Sequence, residues 1–442
     1  MITALLSRIH SRSAKIGVIG QGYVGLPLAL VFREAGFPVL GFDVDPKKVA
    51  ALSRGESYIR HIGSERVQEA VASGGYQVTA DFDRIAECDA IIICVPTPLG
   101  EHREPDNSYI HNTAREIAKR LRRGQLVILE STTYPGTTDE EVLPILKTSG
   151  RAFPEEFFLA FSPEREDPGR QDFTTRSIPK VVGGVNAAST EVAAALYGAA
   201  LEKVVPVSSS RVAESAKLLE NIFRSVNIAL VNELKVTFDR MGIDVWEVIE
   251  AAKTKPFGFM PFYPGPGLGG HCIPLDPFYL SWKAAEYGMW TRFIELAGEV
   301  NTHMPRYVVE RTTHALNDES KAVKGARVLV LGLAYKANID DDRESPSYEI
   351  IELFQEKGAQ VSYCDPYFPR ARKGRKHDLA LASIPCTAEA FAHHDAVVVA
   401  TAHEAFKDRR LYRDVSLVVD TRNIIAPLLA EPGSGPRRLV KA

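Results

Sequence analysis

KIGVIGQGYVGLPLALVF, residues 15–32, decides the fold of this chain. Lys15 to Ile19 is a short apolar run, Gly20-Gln21-Gly22-Tyr23-Val24-Gly25 follows at once, and Leu26 to Phe32 continues with mostly apolar residues, as a helix would. A strand that breaks into GxGxxG and resumes as a helix is the opening of a dinucleotide-binding fold. The glycines permit a tight turn and let a pyrophosphate approach the backbone, where the positive end of the helix holds it. The hexapeptide alone is a weak signal; its position between strand and helix gives it weight. A second apolar run, Pro38 to Phe42, ends in Asp43, eighteen residues beyond Gly25. That is the place for a carboxylate that hydrogen-bonds an adenosine ribose, and its charge selects NAD by repelling the 2′-phosphate of NADP. The competing role for Asp43 is a turn or helix cap before Pro46.

Further strands are expected at Ala90 to Val95, Leu126 to Glu130, Phe157 to Phe161 and Lys180 to Val182, alternating with helical stretches such as Ile110 to Arg122. Such alternation predicts an α/β fold with a parallel, doubly wound sheet, whose ligands lie beyond the carboxyl ends of the strands. Val95-Pro96-Thr97-Pro98, Glu130-Ser131-Thr132-Thr133 and Ser162-Pro163-Glu164-Arg165 fall at those ends. Any one of them is commonly a cap or turn, but several at one sheet edge favour a site. From Ser208 to Met241 the pattern becomes that of a long helix, apolar nearly all the way round between Val212 and Leu234, which predicts burial between domains or at a subunit contact. Lys217, Asn221 and Arg224, at i, i+4 and i+7, share one stripe of it. Lys217 is read either as a structural ion pair with Glu214 or Glu220, or as a group for an anionic or hydroxyl-rich ligand.

Phe262 to Leu280, FYPGPGLGGHCIPLDPFYL, packs four glycines and four prolines into nineteen residues and is expected to be a fixed loop. In it Cys272 is a candidate nucleophile beside a glycine pair that admits a ligand, with Asp276 four residues on. A helical segment from Leu280 to Met304 follows. The βαβ pattern then returns, with strands at Arg327 to Leu331, Gln360 to Cys364, Ala396 to Ala400 and Leu417 to Val419, a turn at Gly332-Leu333-Ala334-Tyr335-Lys336 and a helix at Tyr348 to Lys357. The expected organisation is two Rossmann-like doubly wound domains, 1–206 and 306–442, joined by a central helical domain, 207–305. The last domain lacks GxGxxG and is expected to take a nucleotide by another route. The basic run RARKGRKHD, 370–378, reads as a solvated loop, and the tail from Pro427 as frayed.

A net charge of −3 gives no support to a nucleic-acid binder. Five cysteines, at 88, 94, 272, 364 and 386, show no CxxC spacing, so neither a disulfide framework nor a metal site is expected. The four other than Cys272 read as buried small apolar residues. No apolar run approaches the ~20 residues that span a bilayer. The first thirteen residues, MITALLSRIHSRS, read as a short extension before the first strand rather than a secretory signal, so no membrane association and a cytoplasmic location are expected.

An NAD domain, a thiol in a glycine loop, and a lysine and asparagine on one helix face suggest a particular chemistry. An alcohol is oxidised to an aldehyde, the thiolate holds the aldehyde as a thiohemiacetal, a second hydride leaves, and water hydrolyses the thioester. The motifs GQGYVG, VPTP, STTYPGT, SPER, AKLLENIFR, GPGLGGHCIPLDP and GLAYKANIDDDRESP together resemble the UDP-sugar 6-dehydrogenases, that is the UDP-glucose/GDP-mannose dehydrogenase family, in its N-acetylhexosamine branch, from Lys15 to about Ile425. The resemblance implies NAD on the first domain, UDP on the last, and a homodimer or higher homo-oligomer through the central helices. It implies that Cys272 is the nucleophile and Lys217 the acid/base or oxyanion partner, with Asn221, Asp276, Thr132 and Glu164 around the water and the transferred oxygens. Cofactor contacts are implied at Gly20, Gln21, Gly22, Tyr23, Val24, Gly25, Asp43, Lys48, Thr97, Ser131, Thr132 and Arg343. Substrate contacts are implied at Arg165, Glu166, Lys217, Asn221, Arg224, Phe262, Tyr263, Gly269, Tyr335 and Lys336.

The UDP-glucose branch commonly has Ser-Cys-Phe-Pro-Lys-Asp where this chain has His271-Cys272-Ile273-Pro274-Leu275-Asp276, and the preceding PFGFMPFYPGPG is similar to UDP-N-acetylglucosamine dehydrogenases. The resemblance therefore implies UDP-N-acetylglucosamine as substrate and a uronic acid destined for surface polysaccharide, with UDP-N-acetylmannosamine or UDP-glucose as alternatives. Ala337, where relatives often have proline, departs from the pattern. His271 is read as structural or sugar-specifying rather than as a base. Two rivals are weighed: a two-electron hydroxyacid dehydrogenase, which needs neither Cys272 nor the second sheet domain, and a non-catalytic NAD or nucleotide-sugar sensor.

Overall fold

Continuous apolar runs build the first sheet. Its strands are β1 (Ile16–Ile19), β2 (Val39–Phe42), β3 (Tyr76–Thr79), β4 (Ala90–Ile93), β5 (Leu126–Leu129), β6 (Phe158–Phe161), β7 (Lys180–Gly184) and β8 (Val204–Pro206), in the spatial order β3-β2-β1-β4-β5-β6-β7-β8. The computed structural model describes the chain except residues 60–61, 101–103, 166–173, 271, 375–376 and 431–434 and the side chain of Cys272. IGVI, AIII, LVIL and FLAF are buried at every position, as strands covered on both faces must be. The order reverses at β1/β4, the crevice where a doubly wound sheet binds its ligand.

The sheet is not wholly parallel, as the alternation predicts. β7 pairs antiparallel with β6, Ala160 opposite Gly184, and β8 then runs parallel to β7. No crossover helix joins β6 to β7 among the described residues, and parallel pairing needs such a crossover. The expected N-terminal extension is also corrected: Ile2–His10 is a helix whose Ile2, Leu5, Leu6 and Ile9 fall at i, i+3, i+4 and i+7 and join the core, Leu5 and Ile9 fully.

The chain divides into two compact units, Met1–Glu220 with Phe278–Trp290, and Asn221–Pro277 with Thr291–Ala442. The second unit holds a five-stranded, all-parallel sheet of β9 (Arg327–Leu331), β10 (Gln360–Cys364), β11 (Ala396–Val399), β12 (Leu417–Asp420) and β13 (Arg438–Lys441), ordered β10-β9-β11-β12-β13. β13 corrects the frayed tail. Its sequence, RLVK, has too few apolar residues to read as a strand, but it needs to cover only one edge of β12, and Val440 and Ala442 close the core there.

Two helical expectations change. The Ser210–Arg240 helix forms, but within one chain it is not buried all round: Val212, Leu219, Phe223 and Leu230, at i, i+7, i+11 and i+18, keep one stripe exposed. The glycine-proline segment is a loop only as far as Gly270 among the described residues, because Cys272–Glu286 is a helix. Pro274 sits in its first turn, where backbone N–H groups have no helical partner to lose. Gly288, at φ +68°, ends it, and the Arg292–Asp318 helix follows, so the expected 280–304 helix is broken. No helix among the described residues is long and apolar enough to cross a membrane.

Candidate active site

The three glycines of the first turn differ in what they answer to. A Cβ on Gly20, which lies at φ +91°, would stand 2.3 Å from the Cys94 carbonyl oxygen, and one on Gly25 would stand 1.8 Å from that of Gly20. These two shape the turn and seat the Gly25–Glu34 helix against it. A Cβ on Gly22 would meet no atom within 4 Å among the described residues, so nothing in their packing accounts for its missing side chain. An open concavity at the backbone before a helix N-terminus fits a pyrophosphate.

Gln21 is fully buried, its amide donating to Val18 O (2.7 Å) and accepting from the Tyr76 hydroxyl (2.7 Å), while its backbone carbonyl accepts the Tyr58 hydroxyl. Asp43 accepts the N–H groups of Gln21 (3.0 Å) and Asp45 (2.9 Å), with Lys48 Nζ 3.5 Å away. The cap before Pro46 is supplied by Asp45, which accepts Lys47 N–H at 2.8 Å. The carboxylate of Asp43 is therefore held at the end of β2 beside the glycine turn, where an adenosine ribose would meet it. Tyr23 is exposed, and Val24 lines a small cavity with Glu130, Glu164, Arg165 and Lys180.

At the other strand ends, Ser131 exchanges hydrogen bonds with Val95, accepting its N–H (3.0 Å) and donating to its carbonyl (2.8 Å). Thr97 is buried and its carbonyl accepts the Tyr279 hydroxyl. Thr132 is half-buried. Lys217 is buried and donates to the Glu164 carbonyl at 2.6 Å, with the Glu164 carboxylate 3.6 Å away. Neither expected ion-pair partner is its neighbour: Glu220 pairs with Arg165 at 2.6 Å, and Glu214 is engaged elsewhere. Glu166 lies outside the described residues.

Glu214 has no access to water. Its carboxylate accepts Gly136 N–H (2.8 Å), Thr138 N–H (3.0 Å) and the Thr138 hydroxyl (2.6 Å), fastening the start of the long helix to the STTYPGT segment. Desolvation outweighs these three donors and pushes its pKa up to about 7. The folded chain therefore keeps a proton that the unfolded chain, near its ordinary 4.5, has released. Stability from this group is full below pH ~4.5 and is lost as pH rises towards 7, by about 3 kcal/mol at most. The melting temperature of the unaltered protein minus that of Glu214→Gln is expected to be lower at pH 8 than at pH 5, because only the glutamate ionises. A pH-independent difference would contradict the assignment.

In the second unit, Asn221 and Asp276 are both buried, and the Asn221 amide donates to Asp276 Oδ2 at 2.6 Å. Cys272 is the first residue of its helix, where backbone N–H groups favour negative charge; His271 lies outside the described residues. The glycine pair was expected to leave room for a ligand, and here the structure differs. A Cβ on Gly269 would stand 2.4 Å from Tyr335 Cβ, one on Gly270 2.9 Å from the Tyr335 ring, and Gly270 N–H donates to Arg343 O at 2.9 Å. The missing side chains accommodate Tyr335. Arg343 is clamped by both oxygens of Asp341, the closest contact being 2.6 Å, and lines a cavity of about 550 Å³ with Leu275, Arg372 and His377.

Lys336 is half-buried and Arg224 exposed. Phe262 packs edge-on against Phe223, ring centroids 5.6 Å apart. Tyr263 stacks on Trp246 at 5.8 Å and donates its hydroxyl to Glu250 at 2.6 Å. Beside Tyr263 lies a cavity of about 580 Å³ lined by Asp244, Trp246, Glu250, Arg422 and Lys441. Arg422 was missed in the sequence. It follows β12, donates to Ala400 O at 2.9 Å, and loses enough solvent that its pKa falls to about 10 despite Asp420. A side chain on Gly265 would collide with it at 2.4 Å. The rule that ligands lie past strand carboxyl ends, extended to β12, points to it. Among the described residues no cluster of His, Cys, Asp and Glu could hold a metal.

Family models match the chain in succession. The NAD binding domain of the UDP-glucose/GDP-mannose dehydrogenase family matches residues 14–201, its central domain residues 211–303, and its UDP binding domain residues 329–427. The chain is 37% identical to UDP-N-acetyl-D-glucosamine 6-dehydrogenase of Pseudomonas aeruginosa, over 90% of this chain and 92% of that protein. It is 36% identical to UDP-N-acetyl-D-mannosamine dehydrogenase of Escherichia coli, over 89% and 94%. The solved structure of UDP-D-ManNAc dehydrogenase from Pyrococcus horikoshii superposes with a TM-score of 0.86 at 32% identity, covering 97% of this chain and 98% of that one.

Proposed function

The chain belongs to the UDP-glucose/GDP-mannose dehydrogenase family and is an NAD-dependent UDP-sugar dehydrogenase, and from that premise we propose that it oxidises UDP-N-acetylglucosamine twice at C6 to the uronic acid. The observation that carries the choice of sugar is the 37% identity to a UDP-N-acetyl-D-glucosamine 6-dehydrogenase along 90% of the chain. The loop HCIPLDP, in place of the SCFPKD of the UDP-glucose branch, supports it. The mannosamine relatives, at similar identity, define the alternative.

Bound on the first domain, NAD supplies a hydride acceptor, once for each of two oxidations. We assign the addition to the aldehyde to Cys272: its sulfur bonds to C6, and the thiol proton goes to a nearby base. The thiohemiacetal loses a second hydride and a proton to become a thioester, and water cleaves it to the carboxylate and the free thiol. Each turnover thus consumes two NAD and one water and forms two NADH. Asp276 takes the role of base towards thiol or water, with Asn221 fixing its carboxylate by the 2.6 Å bond. Lys217 stabilises the oxyanions, and the Glu164 carbonyl that its ammonium already meets keeps it from turning away. Thr132 and Glu164 attend the water. Tyr335, Lys336, Arg165 and Arg224 belong to UDP-sugar binding, and Arg343 reaches towards the cofactor.

The division 1–206, 207–305 and 306–442 is kept as a functional one, for cofactor, helical framework and UDP. The exposed stripe Val212, Leu219, Phe223 and Leu230 is suited to a homodimer contact. A cytoplasmic enzyme feeding polysaccharide synthesis accords with this chemistry. Purified protein is to be assayed with NAD and UDP-N-acetylglucosamine, its manno and galacto epimers, and UDP-glucose. UDP-N-acetylglucosamine is expected to give the highest kcat/KM, by about tenfold or more over an epimer that leaves site groups unpaired. Two NADH should appear per acid formed. Preference for the manno epimer would overturn the substrate, one NADH per product the mechanism, and NAD binding without turnover of any sugar would favour a sensor.

A further inference from the structure

The two sheets share a device at the end of their second strand, and they differ in what stands beside it: Lys48 at Asp43 and a histidine at its counterpart. Asp43 follows β2, which pairs with β1. Asp365 follows β10, which pairs with β9 in the same way. Asp365 Oδ2 accepts the N–H groups of Leu333 (2.6 Å) and Ala334 (3.1 Å) in the turn after β9, and its Oδ1 accepts Tyr367 N–H at 2.7 Å. That repeats what Asp43 does with Gln21 and Asp45. The difference is the next neighbour. Asp365 is closed off by His403, whose Nε2 lies 3.1 Å from Oδ2, with both side chains fully buried.

His403 Nδ1 lies 2.9 Å from Asn338 N–H. An amide N–H can only donate, so Nδ1 carries no proton and the ring is neutral, with its hydrogen on Nε2 aimed at Asp365. The imidazole therefore grips the turn at both ends: through Asp365 at Leu333 and Ala334, and directly at Asn338. Thr401 donates to Ala334 O (2.6 Å) and Glu404 N–H to Asn338 Oδ1 (2.9 Å), adding to the same clasp. Asn338 itself holds φ +61°, a conformation that asparagine tolerates better than most residues. Tyr335 and Lys336 stand between the two gripped ends.

We propose that His403 is a positioning residue for the UDP-sugar site: with Asp365, the counterpart of the ribose-binding carboxylate, it is turned inward to fix Tyr335 and Lys336. The second domain thereby gives up the dinucleotide use of its strand edge and gains a rigid turn for another ligand. This inference rests on the UDP-sugar reading above.

His403→Ala is expected to raise KM for the UDP-sugar about tenfold or more, the effect of losing a buried hydrogen-bonded link, while KM for NAD stays within about twofold. His403→Gln, whose amide nitrogen reaches the place of Nε2 and keeps a donor to Asp365, is expected to recover most of that loss. Hydrogen exchange at the Leu333, Ala334 and Asn338 amides should quicken in the alanine variant, with Gln21 unchanged. An unchanged sugar KM, or an equal rise for NAD, would overturn the proposal. Should the alanine variant fail to fold, the isosteric Asp365→Asn takes its place with the same outcomes. Should the unaltered enzyme turn over no UDP-sugar, the functional reading fails, and exchange alone decides: unchanged protection at Leu333 and Ala334 overturns the clasp.

Discussion

Cys272→Ala is expected to reduce formation of the sugar acid by about 10⁴-fold or more, as removal of a covalent nucleophile does, while changing the NAD dissociation constant less than about twofold. The asymmetry follows from which step needs sulfur. Removing a hydride from C6 of an alcohol requires a base and a hydride acceptor only. Removing a second hydride requires that the aldehyde first become tetrahedral, and a thiol adds to an aldehyde and later leaves from a thioester more readily than any oxygen group on the chain. With enzyme and NAD in excess over sugar, the variant is therefore expected to release up to one NADH per sugar and then stop. NADH absorbance with mass spectrometry of the sugar product checks this, and calorimetry checks NAD binding. The contacts assigned to NAD at the glycine turn and at Asp43 are complete within the first unit, and Cys272 belongs to the second, so the titration should be unaffected. Acid formation at the ordinary rate would refute the nucleophile.

Much of the fold was readable because its strands are buried on both faces. IGVI, AIII and LVIL are apolar throughout, and a continuous run of that kind between turn residues has few other uses. What escaped is what depends on neighbours distant in sequence. RLVK reads as a tail until β12 offers it an edge. The Ile2–His10 helix reads as an extension because a short amphipathic segment gains its stability from the core it meets. Gly269 and Gly270 signal that something comes close to the backbone, but not what, and the protein neighbour there is Tyr335.

The site shows the same division. Asp43 was located by its register after the glycine turn, whereas the partners of Lys217 were not. Glu214 and Glu220 are its nearest acids in sequence, yet Gly136 and Thr138 claim the first and Arg165 the second, all far away along the chain. Helix spacing says which face a residue occupies and cannot say what lies across from it. His403 is a further case: nothing in TAHEAF, residues 401–406, marks it, since its two partners come from the residue after β10 and from the turn after β9.

Lys217→Met tests whether the helix stripe is chemistry or scaffold. The expected result is a fall in kcat of about 10² to 10³-fold, the usual cost of losing one preorganised oxyanion partner, with KM for NAD nearly unchanged. The scaffold alternative makes a different demand. There the ammonium serves mainly to neutralise Glu164, and its loss should appear as a lowered melting temperature with kcat and thermal damage moving together. The short bond of the ammonium is to the Glu164 carbonyl at 2.6 Å, and the Glu164 carboxylate lies within ion-pair distance at 3.6 Å, so each reading has a contact to lose and kcat against melting temperature separates them. Methionine keeps the apolar stem and its packing, so a melting temperature within about 4 °C of the unaltered protein is expected. Lys217→Arg adds a control, since it restores the charge but its planar fork cannot reproduce the single-point approach of an ammonium. Partial recovery by arginine would assign Lys217 a mainly electrostatic role, no recovery would point to proton transfer, and a methionine variant with ordinary kcat would remove Lys217 from the chemistry altogether.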